Sequence, residues 1–152
     1  MEYITLQPPA PKSSESVVKI LAAGLNHHDH FIREHLYPGI AFSVPLLTDG
    51  VGVVVSAGKP NSQWVGKRVV LAPGRGWETS PDGPKTLLYA IPGGTKHASQ
   101  GTLGEVIVVP ESEAEEALAH LSIDEAAGLS LRGLTAYRAV SLKETTRRVI
   151  LE

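Results

Sequence analysis

The sequence has no cysteine, few aromatic residues and no long apolar run, and each absence excludes a class of function. Without cysteine the chain has no disulfide, no thiol nucleophile and no cysteine ligand for zinc. Only 5% of the residues are aromatic, which disfavours a stacking surface for single-stranded nucleic acid. No apolar run is long enough to span a bilayer and no signal peptide opens the chain, so we expect a cytoplasmic protein.

The charges of the chain are nearly balanced and do not indicate a charged partner. The net charge is -2 and the pI is about 6.3, so we expect neither nucleic acid nor a membrane surface as a partner. The 152 residues suffice for one hydrophobic core and are too few for two full domains. The 15 glycines and 11 prolines suit a turn-rich β fold.

The most informative stretch is residues 45–73, PLLTDGVGVVVSAGKPNSQWVGKRVVLAP. Its valine run at residues 51–55 predicts a strand covered on both faces, and residues 68–71 predict a second strand after a turn. Gly50 and Gly52 lie at the entry to the first strand. Glycine there permits a kink, or the close approach of another backbone or of a ligand.

This stretch resembles the GroES-like catalytic domain of the medium-chain dehydrogenase/reductase superfamily, whose pattern is roughly G-[HS]-[ED]-G-x-G-x-V…V-G…F-x-x-G-D-R-V. The matching residues are Asp49, Gly50, Gly52, Val54, Gly58, Gly66, Arg68 and Val69. Leu47 stands where the family has glycine, and Lys67 where it has aspartate. The resemblance covers about residues 15–150 and implies a mainly β fold with short helices, a partly open GroES-like barrel without a complete Rossmann domain.

The segment GLNHHDHFIREHLYP follows a strand predicted at residues 17–23 and carries the candidate chemistry. It predicts a short helix over residues 27–35, because a proline follows soon after. The family pattern here is A-G-[CVL]-[CN]-x-x-D. Asn26 takes the place of a zinc-ligating cysteine and Thr48 that of a zinc-ligating histidine, so the resemblance implies no catalytic zinc and we expect no metal.

Four of the six histidines lie in this segment, namely His27, His28, His30 and His35. Histidine titrates near neutral pH and suits general acid–base catalysis, so we expect at least one of them to line a pocket. The alternative is that they decorate a solvated helix. If the chain is catalytic, Asn26 is expected to donate a hydrogen bond to a substrate oxygen, and His27 or His28 to exchange a proton. Asp49 is expected to orient a histidine or the local backbone.

Further residues are expected to contact the substrate: His30, Phe31, Thr48, Trp77, Tyr89 and His97. The last three lie in a long glycine- and proline-rich segment, residues 73–101, and loops of this length are usually functional. In the resembling family this lobe borders the substrate cleft. The alternative is that its aromatic residues only pack against one another.

The remaining segments complete the predicted order of elements. Residues 3–6 are β-like, residues 102–109 predict a strand, and the acidic run at residues 111–116 predicts a turn and the start of a helix. Ser122 begins a capping box for a helix over residues 123–128, and residues 131–140 predict another helix.

The last residues resemble the junction with a nucleotide-binding domain. Thr135 takes a family position close to the nicotinamide, and residues 147–151 resemble the first strand of that domain. No G-x-G-x-x-G follows a strand. We therefore assign residues 1–140 to the catalytic domain and 141–152 to a remnant of the linker and next strand. We expect no cofactor for this chain alone, and NADPH if a nucleotide-binding domain completes it.

Three functions remain open at this point. The first is a stand-alone enzyme performing cofactor-independent acid–base chemistry, such as isomerisation, cyclisation or elimination, on a small organic molecule. The second is the catalytic-domain fragment of an NADPH-dependent, zinc-free oxidoreductase acting on an alkenal, quinone or alcohol, completed by another domain or partner. The third is a non-catalytic binding module. A homo-oligomer or a partner is expected to cover the face left by the missing domain.

Overall fold

The structure, a computed structural model, describes residues 3–5, 7–77, 80, 83–84 and 89–142. Its strands are β1 (Glu15–Gly24), β2 (Asp49–Ala57), β3 (Arg68–Leu71), β4 (Val106–Pro110) and β5 (Ala114–Glu116). They form one open antiparallel sheet in the order β4-β1-β2-β3-β5. The helices are α1 (His27–Arg33), α2 (Ile123–Ala127) and α3 (Ser130–Tyr137). The predicted mainly β class with short helices is confirmed.

The sheet has a core on each face. Alternating residues of all five strands form the larger core: Val18, Val54, Val69, Leu71, Ile107, Val109 and Ala114. On the other face, Val51 packs with Ala126 and Ala127 of α2. A register shift between Ile20 and Ala22 of β1 lets these two residues pack on different cores. A regular strand would place both on the same face.

The two glycines at the entry to β2 are explained by packing. A Cβ on Gly52 would lie 2.4 Å from the Lys19 carbonyl oxygen, and one on Gly50 would lie 2.8 Å from Thr102 Cγ2. Neighbouring protein atoms therefore approach so closely at both positions that only glycine fits without a rearrangement. The prediction that the valine run is covered on both faces is only partly right, because Val55 is 49% exposed near the end of β2.

Several elements begin or end at other residues than the sequence predicts, because pairing with distant segments changes their boundaries. The acidic run starts only a short 3₁₀ helix, Glu111–Glu113, and no α-helix follows it, because Ala114–Glu116 pair with β3 as a strand. The predicted strand at 102–109 begins only at Val106, because residues 102 and 103 bond instead to the loop before β2. Tyr3 to Thr5 form no strand.

The helix predictions are closer to the structure. α1 begins where predicted and ends at Arg33, and the Ser122 capping box opens α2 as expected. α3 gives way to a π-helical turn, Arg138–Leu142. The predicted strand at 147–151 lies outside the described residues, and the division at residue 140 remains a prediction. Within the described parts of the chain, no helix is long and apolar enough to cross a membrane.

Candidate functional site

The candidate site is built around the buried carboxylate of Asp49 at the start of β2. Its side chain is fully shielded from solvent. Oδ2 accepts a hydrogen bond from Asn26 Nδ2 at 3.0 Å, and Oδ1 accepts one from the Leu131 backbone N–H at 2.7 Å. Burial raises the pKa of this carboxyl, while these two hydrogen bonds and the positive charge of Arg132 oppose the rise.

Two neighbouring hydroxyl groups hold this end of β2 in place. Thr48 Oγ1 donates to the Pro92 carbonyl oxygen at 2.8 Å, and Thr102 Oγ1 donates to the Asp49 carbonyl oxygen at 2.7 Å. Both threonine residues are 2% exposed. The Thr48 bond connects the start of β2 with the lobe of residues 73–101.

α1 separates the histidines of the segment into exposed and buried residues. Asn26 precedes the helix, and its backbone N–H donates to Asp29 Oδ2 at 2.8 Å, which holds the first turn. His27 and His30 are exposed and lie about the ring of Phe31, with centroids at 6.2 and 5.9 Å. The His28 side chain is only 10% exposed.

The buried His28 ring lacks the partners that such a group normally has. Neither of its nitrogens has a hydrogen-bond partner among the described residues, and Asp29 Oδ1 is likewise unsatisfied. His28 Nδ1 lies 3.7 Å from that oxygen, which is longer than a good hydrogen bond. Buried polar atoms are rarely left in this state. His28 therefore differs from the exposed His27 and His30, because its ring nitrogens are buried and have no partner among the described residues.

A row of rings joins α1 to the lobe. Tyr37 packs edge-on against His28 with centroids 4.4 Å apart. Burial, followed by the neighbouring phenol of Tyr37, raises the pKa of Tyr89. Tyr89 in turn packs edge-on against Trp77 at 5.7 Å, and the Arg138 guanidinium lies 4.0 Å over the Trp77 ring. No local pattern pointed to Tyr37 or Arg138, because their neighbours Tyr89 and Trp77 lie far away in the sequence.

The lobe also borders a cavity of about 200 Å³. Trp77 lines it together with Arg75 and Glu113, whose side chains pair at 2.7 Å between Nε and Oε2. Tyr89 and His97 do not line this cavity, and His97 is exposed near Gly39. Thr135 is exposed on α3, four residues after Leu131.

The side chains at the two zinc-ligand positions do not suit zinc. Zinc sites in proteins use cysteine sulfur, histidine nitrogen or carboxylate oxygen. Here the amide of Asn26 and the hydroxyl of Thr48 each donate a hydrogen bond to a protein oxygen. Over the described ranges, no cluster of three or more histidine, aspartate or glutamate side chains could hold a metal ion.

Comparison with known proteins gives the family. Residues 12–118 match the alcohol dehydrogenase GroES-like domain. The chain belongs to this family. Over 141 residues this GroES-like domain is 41% identical to the zinc-type alcohol dehydrogenase-like protein YogA of Leptosphaeria maculans. That alignment covers 89% of the chain and 39% of YogA.

Solved structures agree with this assignment. An NAD-dependent alcohol dehydrogenase superposes with a TM-score of 0.77 at 31% identity, over 89% of this chain and 40% of that one. The Escherichia coli quinone oxidoreductase complexed with NADPH gives 0.65 at 25% identity, over 95% and 36%. The chain thus spans about two fifths of the length of these relatives. The predicted GroES-like, partly open fold and its place among alcohol dehydrogenase-like proteins are confirmed.

Proposed function

We propose that this GroES-like domain is the substrate-binding half of a zinc-independent, NADPH-dependent oxidoreductase that works together with a nucleotide-binding domain. Its substrate is a small carbonyl, alkenal or quinone compound, and its location is the cytoplasm. The family match over residues 12–118 is the observation that carries this proposal. The relatives named as an NAD-dependent alcohol dehydrogenase and as a quinone oxidoreductase bound to NADPH support the reaction class.

The hydrogen bonds and burial of the site support a role for each of these residues. NADPH, when bound, supplies the hydride. One N–H of the Asn26 amide is held by Asp49, and the second is available to a substrate oxygen. His28 exchanges the proton, since its ring nitrogens are buried and unsatisfied among the described residues. Trp77, Tyr89 and Phe31 provide apolar contacts for the rest of the substrate.

Thr135 on α3 would contact the nicotinamide once the second domain is present. The outer side of α3 and of the turn after it exposes Leu134, Tyr137 and Val140, at 51%, 61% and 55%. A cluster of exposed apolar residues is typical of a surface that a partner covers. The nucleotide-binding domain covers this surface, and a second copy of the chain is the competing occupant.

The stand-alone acid–base enzyme is the second candidate. The unsatisfied ring of His28 is compatible with it, but the relatives described above are named as alcohol dehydrogenase-like proteins and a quinone oxidoreductase, which favours the oxidoreductase. The chain should be assayed alone and after fusion to the part of YogA that it does not match, with NADPH and a quinone. We expect NADPH binding and quinone reduction only in the fusion. A fusion that binds NADPH yet reduces no carbonyl compound or quinone would refute the oxidoreductase assignment.

Zinc independence is tested separately by elemental analysis of the purified chain. We expect less than stoichiometric zinc, because Asn26 and Thr48 replace both ligands. One tightly held zinc per chain would contradict the proposal.

The role of His28 is tested by alanine substitution in the active fusion. His28→Ala should lower the rate by about 10²–10⁴-fold, as for the loss of a general acid or base. His27→Ala and the distant control His120→Ala should have little effect, because both side chains are exposed. Equal activity of all three folded variants would show that the histidine segment takes no part in the chemistry.

A further inference from the structure

α3 begins without a cap from its own segment. The residue that precedes it, Leu129, makes no side-chain capping hydrogen bond. The N–H of Leu131, the second residue of the helix, donates instead to Asp49 Oδ1, 82 residues earlier in the chain. The first N–H groups of a helix have no partner within the helix, so this bond stabilises the start of α3. The start of α3 is thereby attached to the start of β2.

The other oxygen of the same carboxylate fixes the orientation of the Asn26 amide. An ionised carboxylate only accepts hydrogen bonds, so the atom of Asn26 that faces Oδ2 at 3.0 Å is the nitrogen. The carbonyl oxygen of the amide therefore points away from Asp49. A substrate oxygen can then be bound by the second N–H of this amide, and a substrate donor by its carbonyl.

The carboxylate has little freedom to move. Asp49 pairs with Gly24 across the sheet, and its carbonyl oxygen accepts the Thr102 hydroxyl at 2.7 Å. A Cβ on Gly24 would lie 3.1 Å from the Asp49 Cβ, so the strands approach closely at this point. The backbone under the carboxylate is therefore held from two sides.

We infer that Asp49 is a positioning residue that holds the substrate-side amide of Asn26 and the cofactor-side helix α3 in a fixed relation to each other. One oxygen orients the amide and the other docks the start of the helix that carries Thr135. The inference rests on the proposed function, which assigns Asn26 to the substrate side and α3 to the cofactor side. The two hydrogen bonds themselves are tested on the chain without any activity.

Two substitutions separate the two bonds. In Asp49→Asn the introduced side-chain oxygen can still accept from Leu131, whereas the introduced NH₂ group faces the Asn26 nitrogen and repels it. The Asn26 amide should then rotate so that its oxygen accepts, while α3 stays docked. Asp49→Ala removes both bonds. Asp124→Asn is the matched control, because Asp124 is an exposed carboxylate on α2.

The readouts are amide hydrogen exchange at Leu131 and the side-chain NH₂ resonances of Asn26 by NMR. Asp49→Ala should speed amide exchange at Leu131 by about 10–100-fold. This factor corresponds to the loss of one hydrogen bond to a charged group. Asp49→Asn should leave this exchange nearly unchanged but move the Asn26 NH₂ resonances. Unchanged Leu131 exchange in Asp49→Ala, or unmoved Asn26 resonances in Asp49→Asn, would overturn the inference.

In the active fusion the same variants should separate the kinetic parameters. Asp49→Asn should lower kcat/KM for the substrate and leave NADPH affinity unchanged, whereas Asp49→Ala should weaken both. Equal losses for substrate and NADPH in both variants would show a general structural role only. If the fusion is inert, the NMR result still decides the two hydrogen bonds, so failure of the proposed function remains distinguishable.

Discussion

The Thr48 hydroxyl offers the most direct test of how β2 is tied to the lobe. Thr48→Val keeps the shape of the side chain and removes only the hydroxyl that donates to the Pro92 carbonyl oxygen at 2.8 Å. The residue is 2% exposed, so water cannot readily replace the lost donor. Leaving a buried acceptor unsatisfied costs about 1–3 kcal/mol. Taking about 2 kcal/mol, the middle of that range, and up to about 0.8 kcal/mol recovered by the added methyl group, we expect a net loss of about 1–2 kcal/mol.

The loss is measured by thermal and urea unfolding followed by circular dichroism. For a chain of this size, each kcal/mol shifts Tm by about 2–4 °C, so Tm should fall by about 2–8 °C. Thr48→Ser keeps the hydroxyl and should retain the hydrogen bond, apart from the smaller cost of losing a methyl group. Thr5→Val, at an exposed position, should leave Tm nearly unchanged.

The result also decides what the Thr48 hydroxyl is for. If it is committed to Pro92, the valine variant of the active fusion should lose stability and keep the substrate KM close to that of the parent. A variant with unchanged Tm and a raised KM would refute this reasoning. It would mean that the hydroxyl serves the substrate and that the bond to Pro92 contributes nothing to stability.

Three further predictions concern the framework around the site. Gly52→Ala should destabilise the fold by about 1–3 kcal/mol, because its Cβ would lie 2.4 Å from a carbonyl oxygen. Gly104→Ala is the control, because its Cβ would make only an ordinary contact, at 3.9 Å from the Val106 carbonyl oxygen; equal urea midpoints would contradict the packing argument. Burial raises the pKa of Asp49 above about 3.8. Between pH 3.8 and the folded-state pKa, the folded protein therefore keeps a proton on Asp49 that the unfolded chain has lost. The contribution of Asp49 to the free energy of unfolding falls as the pH rises through this range. In Asp49→Asn, urea unfolding across this pH range should show a smaller fall of the free energy of unfolding with pH. The same fall in the variant and the parent would contradict this prediction. Ser122→Ala should cost about 1 kcal/mol by loss of the cap on α2, and an unchanged Tm would show that the capping box is dispensable.

The sequence alone was sufficient where a signal is local and repeated. The valine run and its glycines predicted β2, and the serine–glutamate capping box predicted the start of α2. The spacing of glycines in residues 45–73 carried the family resemblance, because close approach of backbones imposes glycine whatever the surrounding residues are. Asn26 and Asp49 were predicted to be site residues from this resemblance.

Tertiary structure decided the features that depend on pairing between distant segments. The acidic residues of β5 look like a helix start in isolation, yet their backbone is satisfied by β3 and their side chains remain in solvent. The sequence offered four histidines in one segment, and only packing against Tyr37 shows which of them is buried. Likewise, no local pattern reveals that Asp49 bonds to both Asn26 and Leu131, because those partners are 23 and 82 residues away. Residue types and spacing determined the family, while the hydrogen-bond partners of the buried polar groups were determined by the folded chain.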